Sequence, residues 1–281
     1  MAGEHEIAVV GGGPAGLMAA EQLSGAGCSV TIYERMPSLG RKLLMAGRGG
    51  LNLTHAEPLA AFLGRYGTAE PWLRPLIEAF PPEALRAWAE GLGQATFVGS
   101  SGRVFPRALK ASPLLRAWLA RLAAQGVQFA LRHEWQGWDE AGRLVLRHGE
   151  ATSLLAPAAC VLALGGASWP RLGSNGAWVA PLRAAGIAVS PLRAANCGLI
   201  LPWSAAFAER FAGTPLKRIV LSLAGRSVPG EAVVTRYGLE GGAVYALAAE
   251  LREEFGIGHT TIQVETPETR EDCTRTANGC A

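Results

Sequence analysis

Residues 7–10, Ile-Ala-Val-Val, form an unbroken apolar run, the pattern of a parallel strand covered on both faces. A run of three glycines and a proline follows, after which Leu17, Ala20 and Leu23 recur at helical spacing up to a Gly-Ala-Gly stop at 25–27. Residues 28–33, Cys-Ser-Val-Thr-Ile-Tyr, predict a second strand with Glu34 at its end. Residues 68–95 read as proline-bounded helical pieces with Trp72, Leu76, Phe80, Leu85 and Trp88 as core. A longer amphipathic helix is predicted from about Pro113 to Ala124, with Leu114, Leu115, Trp118, Leu119 and Leu122 on one side, Ser112 as its cap and Gly126 as its stop. Two stretches, 127–138 and 143–150, read as short antiparallel strands, and 159–166 as a returning buried strand ended by Gly165 and Gly166.

The pattern changes near Pro191. Short β-rich runs with glycine turns, 197–203 and 218–235, lead into a loop and helix at 237–255. Tyr237 and Glu240 are the polar residues of that loop, and Tyr237 reads either as seam packing or as a group on the substrate side. The expected organisation is α/β: a Rossmann-like, doubly wound cofactor domain with a β-meander over 1–190, and a smaller, inserted β-rich substrate domain over 191–255. Residues 256–281 contain no leucine and six threonines, which predicts a disordered, atypical tail.

Composition narrows the function. The chain has 281 residues, 49% hydrophobic and 17% charged, a globular balance. A net charge of +3 gives no signal for nucleic acid, and the glycine- and proline-interrupted run at 151–170 is no membrane span. The expected partner is therefore a small-molecule substrate, with neither nucleic acid nor membrane. Five unpatterned cysteines and no HExxH pair point to free thiols in a reducing, cytoplasmic setting without a metal site.

The candidate chemistry lies in the first strand–helix turn. Gly11, Gly13 and Gly16 form GxGxxG, which permits the tight turn, the approach of a pyrophosphate to the backbone and close helix–strand packing. Glu34, eighteen residues beyond Gly16, stands where a carboxylate accepts from an adenosine ribose and disfavours a 2′-phosphate. FAD or NAD fits that pattern better than NADP. Next comes GRKLLMAGRGGLNLTH, residues 40–55, with no single period along its length. Its glycines at 47, 49 and 50 suit a backbone lying against a flat ligand, and Arg41, Lys42 and Arg48 can offset phosphate or reduced-flavin charge. Arg103, Arg107 and Lys110 form a second basic loop that faces either cofactor or water. Only three lysines occur, at 42, 110 and 217, and Lys42 is the one singled out.

The motifs GGGPAGLMAA, GRKLLMAGRGGLNLTH, GRVFPRALKA, ALGGASWPRLGSNG and GEAVVTRYGLEGGAVYAL occur in that order. Together they resemble the BaiN-type (YhiN-like) NAD(P)/FAD-dependent oxidoreductases, some labelled aminoacetone oxidase family FAD-binding enzymes, over about residues 5–255. The resemblance implies bound FAD, with NAD(P)H as a transient reductant, and a cofactor site drawn from Gly11, Gly13, Pro14, Ala15, Gly16, Glu34, Arg35, Arg41, Lys42, Gly47, Arg48, Gly49, Asn52, Trp135, Gly165 and Gly166. It also implies a C-terminal segment that completes the flavin pocket and is missing here. Gly50 and Leu51 stand where the family more often carries Arg-Cys, so no role of that pair transfers. No catalytic residue can be assigned. Two other readings stand beside this one: an NAD-dependent dehydrogenase using the same glycine turn, and a redox-inactive fragment.

Overall fold

The computed structural model describes residues 6–46, 50–193, 196, 198–223, 225–254 and 263–265, the last three and 252–254 by backbone only. The chain divides into two compact units, Met1–Pro191 and Leu192–Ala281.

The first unit opens with β1 (Glu6–Val10), α1 (Pro14–Gly25) and β2 (Ser29–Glu34), the predicted strand–helix–strand. Residues Arg41–Ala46 then form a short helix, α2, where an irregular loop was expected. The segment β3 (Thr54–His55), α3 (Leu59–Gly64), α4 (Glu70–Ala79), α5 (Pro82–Gly91), β4 (Thr96–Val98) and β5 (Arg103–Pro106) makes a side layer, with a small antiparallel sheet in the order β3-β5-β4. After it come α6 (Ala111–Ala124), β6 (Gln128–Leu131), β7 (Glu134–Trp138), β8 (Leu144–His148), β9 (Ala151–Leu155), β10 (Ala159–Leu162) and α7 (Val179–Ala184).

The central sheet is parallel, in the order β10-β1-β2-β6, with Val9 opposite both Val161 and Ile32. Its two faces explain the unbroken apolar run. Val9, Val30 and Ile32 pack with Leu17, Leu114, Trp118 and Leu122 under α1 and α6. Ala8 and Val10 point the other way, into Trp135, Leu144 and Leu146 of the antiparallel meander β7-β8-β9. A strand covered on both sides has no solvent face to alternate with. Leu114, Trp118 and Leu122 recur every four residues and are buried, so truncating Leu122 to Ala costs about 2–5 kcal/mol.

A buried carboxylate ties three helices together. Glu21 on α1 accepts from the indole N–H of Trp118 at 2.5 Å and of Trp88 at 3.1 Å, and pairs with Arg121 at 2.9 Å. Those donors come from α5 and α6, so this cluster fixes α1, whose other end faces the candidate site.

Several expectations are corrected. The stretch 127–138 is not one strand of a meander. It breaks at Arg132, which has φ +61°, so that β6 joins the parallel sheet beside β2 while β7 begins the meander. Helix α6 starts earlier than predicted, with Lys110 rather than Ser112 at its cap, and Gly126 ends it at φ +81°. Trp72, Leu76 and Phe80 are not core: they are 72%, 56% and 43% exposed, because no described element covers that stripe of α4. Trp88 is held instead by its bond to Glu21.

The second unit is a sheet in the order β11-β14-β13-β12-β15, made of β11 (Leu199–Ile200), β12 (Pro215–Leu223), β13 (Arg226–Thr235), β14 (Gly238–Glu240) and β15 (Gln263–Glu265). Helix α8 (Ala205–Phe211) precedes β12, and α9 (Gly242–Ala246) and α10 (Ala248–Glu254) follow β14. Ile219, Leu221, Val234, Val244 and Leu251 form its core. The expected loop and helix over 237–255 are the short strand β14 followed by the helices α9 and α10, and Tyr237 is 73% exposed. Part of the predicted disordered tail, Gln263–Glu265, pairs antiparallel with β12; the rest of 256–281 lies outside the described residues. Among the described residues, no helix is long and apolar enough to cross a membrane.

Candidate functional site

The site is built from the glycine turn outward. Gly11 sits at φ +107°, and a Cβ there would lie 2.2 Å from the Ala163 carbonyl oxygen, so β10 crosses directly behind the turn. A Cβ on Gly16 would lie 1.9 Å from the Gly11 carbonyl oxygen, which is the close helix–strand packing expected of the third glycine. Gly13 is different: a Cβ there would meet no protein atom within 4 Å. It keeps open the space before the N-terminus of α1. Pro14 occupies the first turn, where its missing N–H costs nothing, and no acidic residue stands in that turn. The remaining N–H groups of the turn, Ala15 and Gly16, have no intrahelical acceptor, and with the helix dipole they favour an anion.

Glu34, at the end of β2, does more than the sequence suggests. Its Oε2 accepts from the Gly12 N–H at 2.7 Å and its Oε1 from the Met36 N–H at 2.8 Å. The carboxylate thus clamps the glycine turn to β2, and each oxygen keeps a lone pair for a ribose hydroxyl. A Cβ on Gly12 would lie 2.2 Å from the end of the Leu39 side chain, which would have to shift.

These groups line one cleft of about 620 Å³, at the carboxyl edge of the parallel sheet. Of the residues predicted to hold the cofactor, Gly11, Gly13, Pro14, Glu34, Arg35, Arg41, Lys42, Trp135, Gly165 and Gly166 come together there. Ala15 and Gly16 stand just behind, in the first turn of α1. Asn52 does not join them and lines a separate cleft. Gly47, Arg48 and Gly49 lie outside the described residues. Arg103, Arg107 and Lys110 are exposed and do not line this cleft. Ser174 belongs to the ALGGASWPRLGSNG motif, whereas Ser38, His133 and Trp178 had no local signal; the four arrive from three separate segments, and only the fold assembles them.

The electrostatics suit an anionic ligand with polar ends. Arg35 reaches Glu134 at 3.6 Å, Arg41 donates to Ser38 Oγ at 3.2 Å and Lys42 donates to Ser168 Oγ at 2.6 Å. Three cations therefore ring the cleft with donors to spare. Arg35 Nε, Arg41 Nε, Trp135 Nε1, Ser174 Oγ and Trp178 Nε1 are buried without a partner among the described residues, and all five belong to cleft-lining residues. Orphaned polar groups concentrated at one cleft are the mark of a missing polar ligand. Burial and the nearby Glu6 raise the pKa of Tyr33, which keeps that wall neutral. On this count the residues fit FAD: an open phosphate cradle, a ribose carboxylate and cations flanking both.

The sequence matches the profile of the family described as HI0933-like protein Rossmann domain over residues 5–279, so the match runs through the tail as well. A curated relative, a ribosomal RNA dihydrouridine synthase of Haemophilus influenzae, is 44% identical over 52 residues, 18% of this chain and 13% of the relative. Among solved structures, a 3-ketosteroid dehydrogenase from Rhodococcus jostii RHA1 is 15% identical with a TM-score of 0.42, covering 58% of this chain and 46% of that one. Thermovibrio ammonificans THI4 is 17% identical with a TM-score of 0.42, covering 87% and 80%. A flavocytochrome c3 fumarate reductase is 20% identical with a TM-score of 0.46, covering 58% and 34%. The chain thus spans less than half of the first of these structures and a small part of the curated relative. With nearly its whole length matched to one family profile, and with that family's glycine turn and ribose acid converging on one cleft, the chain belongs to the HI0933-like Rossmann-domain family, the flavoproteins its motifs resemble.

Proposed function

We propose that this protein is an FAD-dependent oxidoreductase that takes electrons from NAD(P)H and delivers them to an unsaturated acceptor, a uridine base of RNA. One observation carries the cofactor: the glycine turn, Glu34 and three cations meet in a single cleft at the carboxyl edge of the parallel sheet. FAD, when bound, supplies two-electron redox chemistry. The chain's own part is to hold it. The N-terminus of α1 and the open face of Gly13 receive the pyrophosphate, Glu34 accepts from the ribose, and Arg35, Arg41 and Lys42 balance the negative charge. There is one glycine turn of this kind, so the nicotinamide is a transient visitor rather than a second resident.

The acceptor comes from the curated relative named as a ribosomal RNA dihydrouridine synthase. Conversion of uridine to dihydrouridine adds two hydrogens across the C5=C6 bond at the expense of NAD(P)H, which this cofactor supports. A net charge of +3 argues against a surface that grips long RNA by charge alone. Recognition of one exposed base needs a flat pocket rather than such a surface. The half-buried free thiols Cys28 and Cys160 suit the cytoplasm.

The test is direct. The purified chain is expected to be yellow and to release FAD on denaturation. With NAD(P)H under anaerobic conditions it bleaches, and uridine-containing RNA added afterwards gains two hydrogens by mass spectrometry. Bound NAD instead of flavin favours the dehydrogenase reading. No nucleotide, even after reconstitution, favours an inactive fragment.

A further inference from the structure

We propose that Trp135 and Trp178 are specificity-determining residues at the far end of the nucleotide cleft: their indole N–H groups read bare ring nitrogens of a purine, so that the cleft accepts an adenine nucleotide and refuses a hypoxanthine or guanine one. This rests on the reading of the cleft as the FAD site and names the groups that choose the base.

The place of the base follows from the order of parts along the cleft. On that reading the cradle at Gly13 takes the phosphates and Glu34 takes the ribose. Beyond Glu34 stand β7 and the segment leading into α7. The His133 N–H donates to the Glu34 carbonyl at 3.0 Å and the Arg132 N–H to the Met36 carbonyl at 3.2 Å, so β7 starts beside the ribose acid. A Cβ on Gly173 would lie 2.8 Å from the Met36 side chain, so the segment that carries Trp178 closes on the same strand end. A Cβ on Gly137 would lie 3.3 Å from Pro181, which brings β7 and α7 against each other. A nucleotide that runs from phosphate to ribose therefore reaches its base between β7 and α7.

This end suits a flat, uncharged ring. Leu164, Ala177, Ala180, Pro181 and Ala184 line it, and these small or apolar side chains offer no charge. The charges beside them are already matched, since Glu134 pairs with both Arg35 and Arg147. Trp135 is only 7% exposed, packs in the cluster of Ala8 and Val10, and meets Trp138 edge-to-face at 4.9 Å. Its ring is thus fixed, yet its Nε1 has no partner among the described residues. The same holds for Nε1 of Trp178, which packs against the same cluster. A buried donor left unpaired is costly, and two of them in one cleft wall call for acceptors on the ligand. An indole N–H only donates. Adenine offers bare N1 and N3. In hypoxanthine and guanine N1 carries a hydrogen, which would set donor against donor. Fixed polar groups reject a ligand that leaves them unpaired.

The experiment uses the full chain freed of FAD, with its indole N–H NMR signals assigned through Trp135→Phe and Trp178→Phe. It is titrated with FAD, ADP, inosine diphosphate and FMN. ADP should shift both indole signals and bind at least about tenfold more tightly than inosine diphosphate. Trp178→Phe keeps a ring and loses the N–H; it should weaken ADP about tenfold and erase most of the preference, with thermal melts confirming the fold. Trp178 is half-buried, so this variant spares the core, and Trp135→Phe gives a second reading. Inosine diphosphate binding as tightly as ADP overturns the proposal, as does a preference unchanged in both variants. If FMN moves the indoles and ADP does not, the flavin ring occupies this end: the cofactor reading stands and the proposal falls. If the chain takes no FAD yet prefers ADP through these indoles, the base readers stand and the flavin reading falls. Binding of neither overturns both.

Discussion

The two clefts of the first unit are made of different material. The nucleotide cleft is a backbone construction: Gly11 and Gly16 have carbonyl oxygens where their Cβ atoms would stand, and Glu34 holds two main-chain N–H groups. The 52–85 cleft is a side-chain construction, with rings from α3 and from the turns after α3 and α4 set against a two-residue strand. A backbone site has few solutions, because at Gly11 and Gly16 any added atom displaces main chain. A side-chain site has many, because a ring can be exchanged for another flat residue at small cost. The first cleft should therefore be brittle and general to one cofactor, and the second tolerant and open to tuning.

The largest effect is expected at Gly16→Ala. Its methyl group would overlap the Gly11 carbonyl, so the turn must move; the cost is about 3 kcal/mol or more, and calorimetry should show a lower melting point together with lost FAD. Glu34→Gln comes next. It keeps one acceptor and turns the other into a donor facing an N–H, so stability should drop by about 1–3 kcal/mol and FAD binding with it, read by denaturation and flavin fluorescence. Gly13→Ala separates holding the fold from holding the ligand. No protein atom meets its Cβ, so melting should stay within about 0.5 kcal/mol of the parent while FAD affinity falls about tenfold. Unchanged FAD affinity in that variant would break the assignment of the phosphate cradle.

Smaller effects should mark the second cleft. Phe80→Ala removes a half-exposed ring and should cost no more than about 1 kcal/mol, leaving FAD stoichiometry intact; a loss of cofactor there would mean that the two clefts are one. The smallest concerns Cys160 on β10, behind the glycine turn. Burial pushes its thiol up to about 11 from an ordinary 9.0. Below pH 9 both folded and unfolded chains carry the neutral thiol. Between 9 and about 11 the unfolded chain ionises first, so stability falls as pH rises through that window. Alkylation of Cys160 should accordingly stay slow at neutral pH, and rapid labelling there would contradict its burial.

The sequence by itself determined the strand–turn–helix–strand start, the ribose acid, the returning strand and the amphipathic face of α6. Each of these rests on local physics: a glycine spacing, a covered-strand run, a period of four. Even so, it mistook the side layer. Trp72, Leu76 and Phe80 have the spacing of a buried stripe, and periodicity cannot say whether anything arrives to cover it. It likewise read 127–138 as one strand, since the left-handed turn at Arg132 leaves no glycine to mark it. What only the tertiary structure decided is convergence. Ser38, His133, Ser174 and Trp178 share a cleft because they follow β2, β6 and β10, which end at one edge of the parallel sheet, and Asn52 leaves its neighbours Arg41 and Lys42 because it leads into β3, which belongs to a different sheet. Sites made by backbone geometry leave a trace in spacing, whereas sites made by side chains from distant segments exist only once the chain has closed on itself.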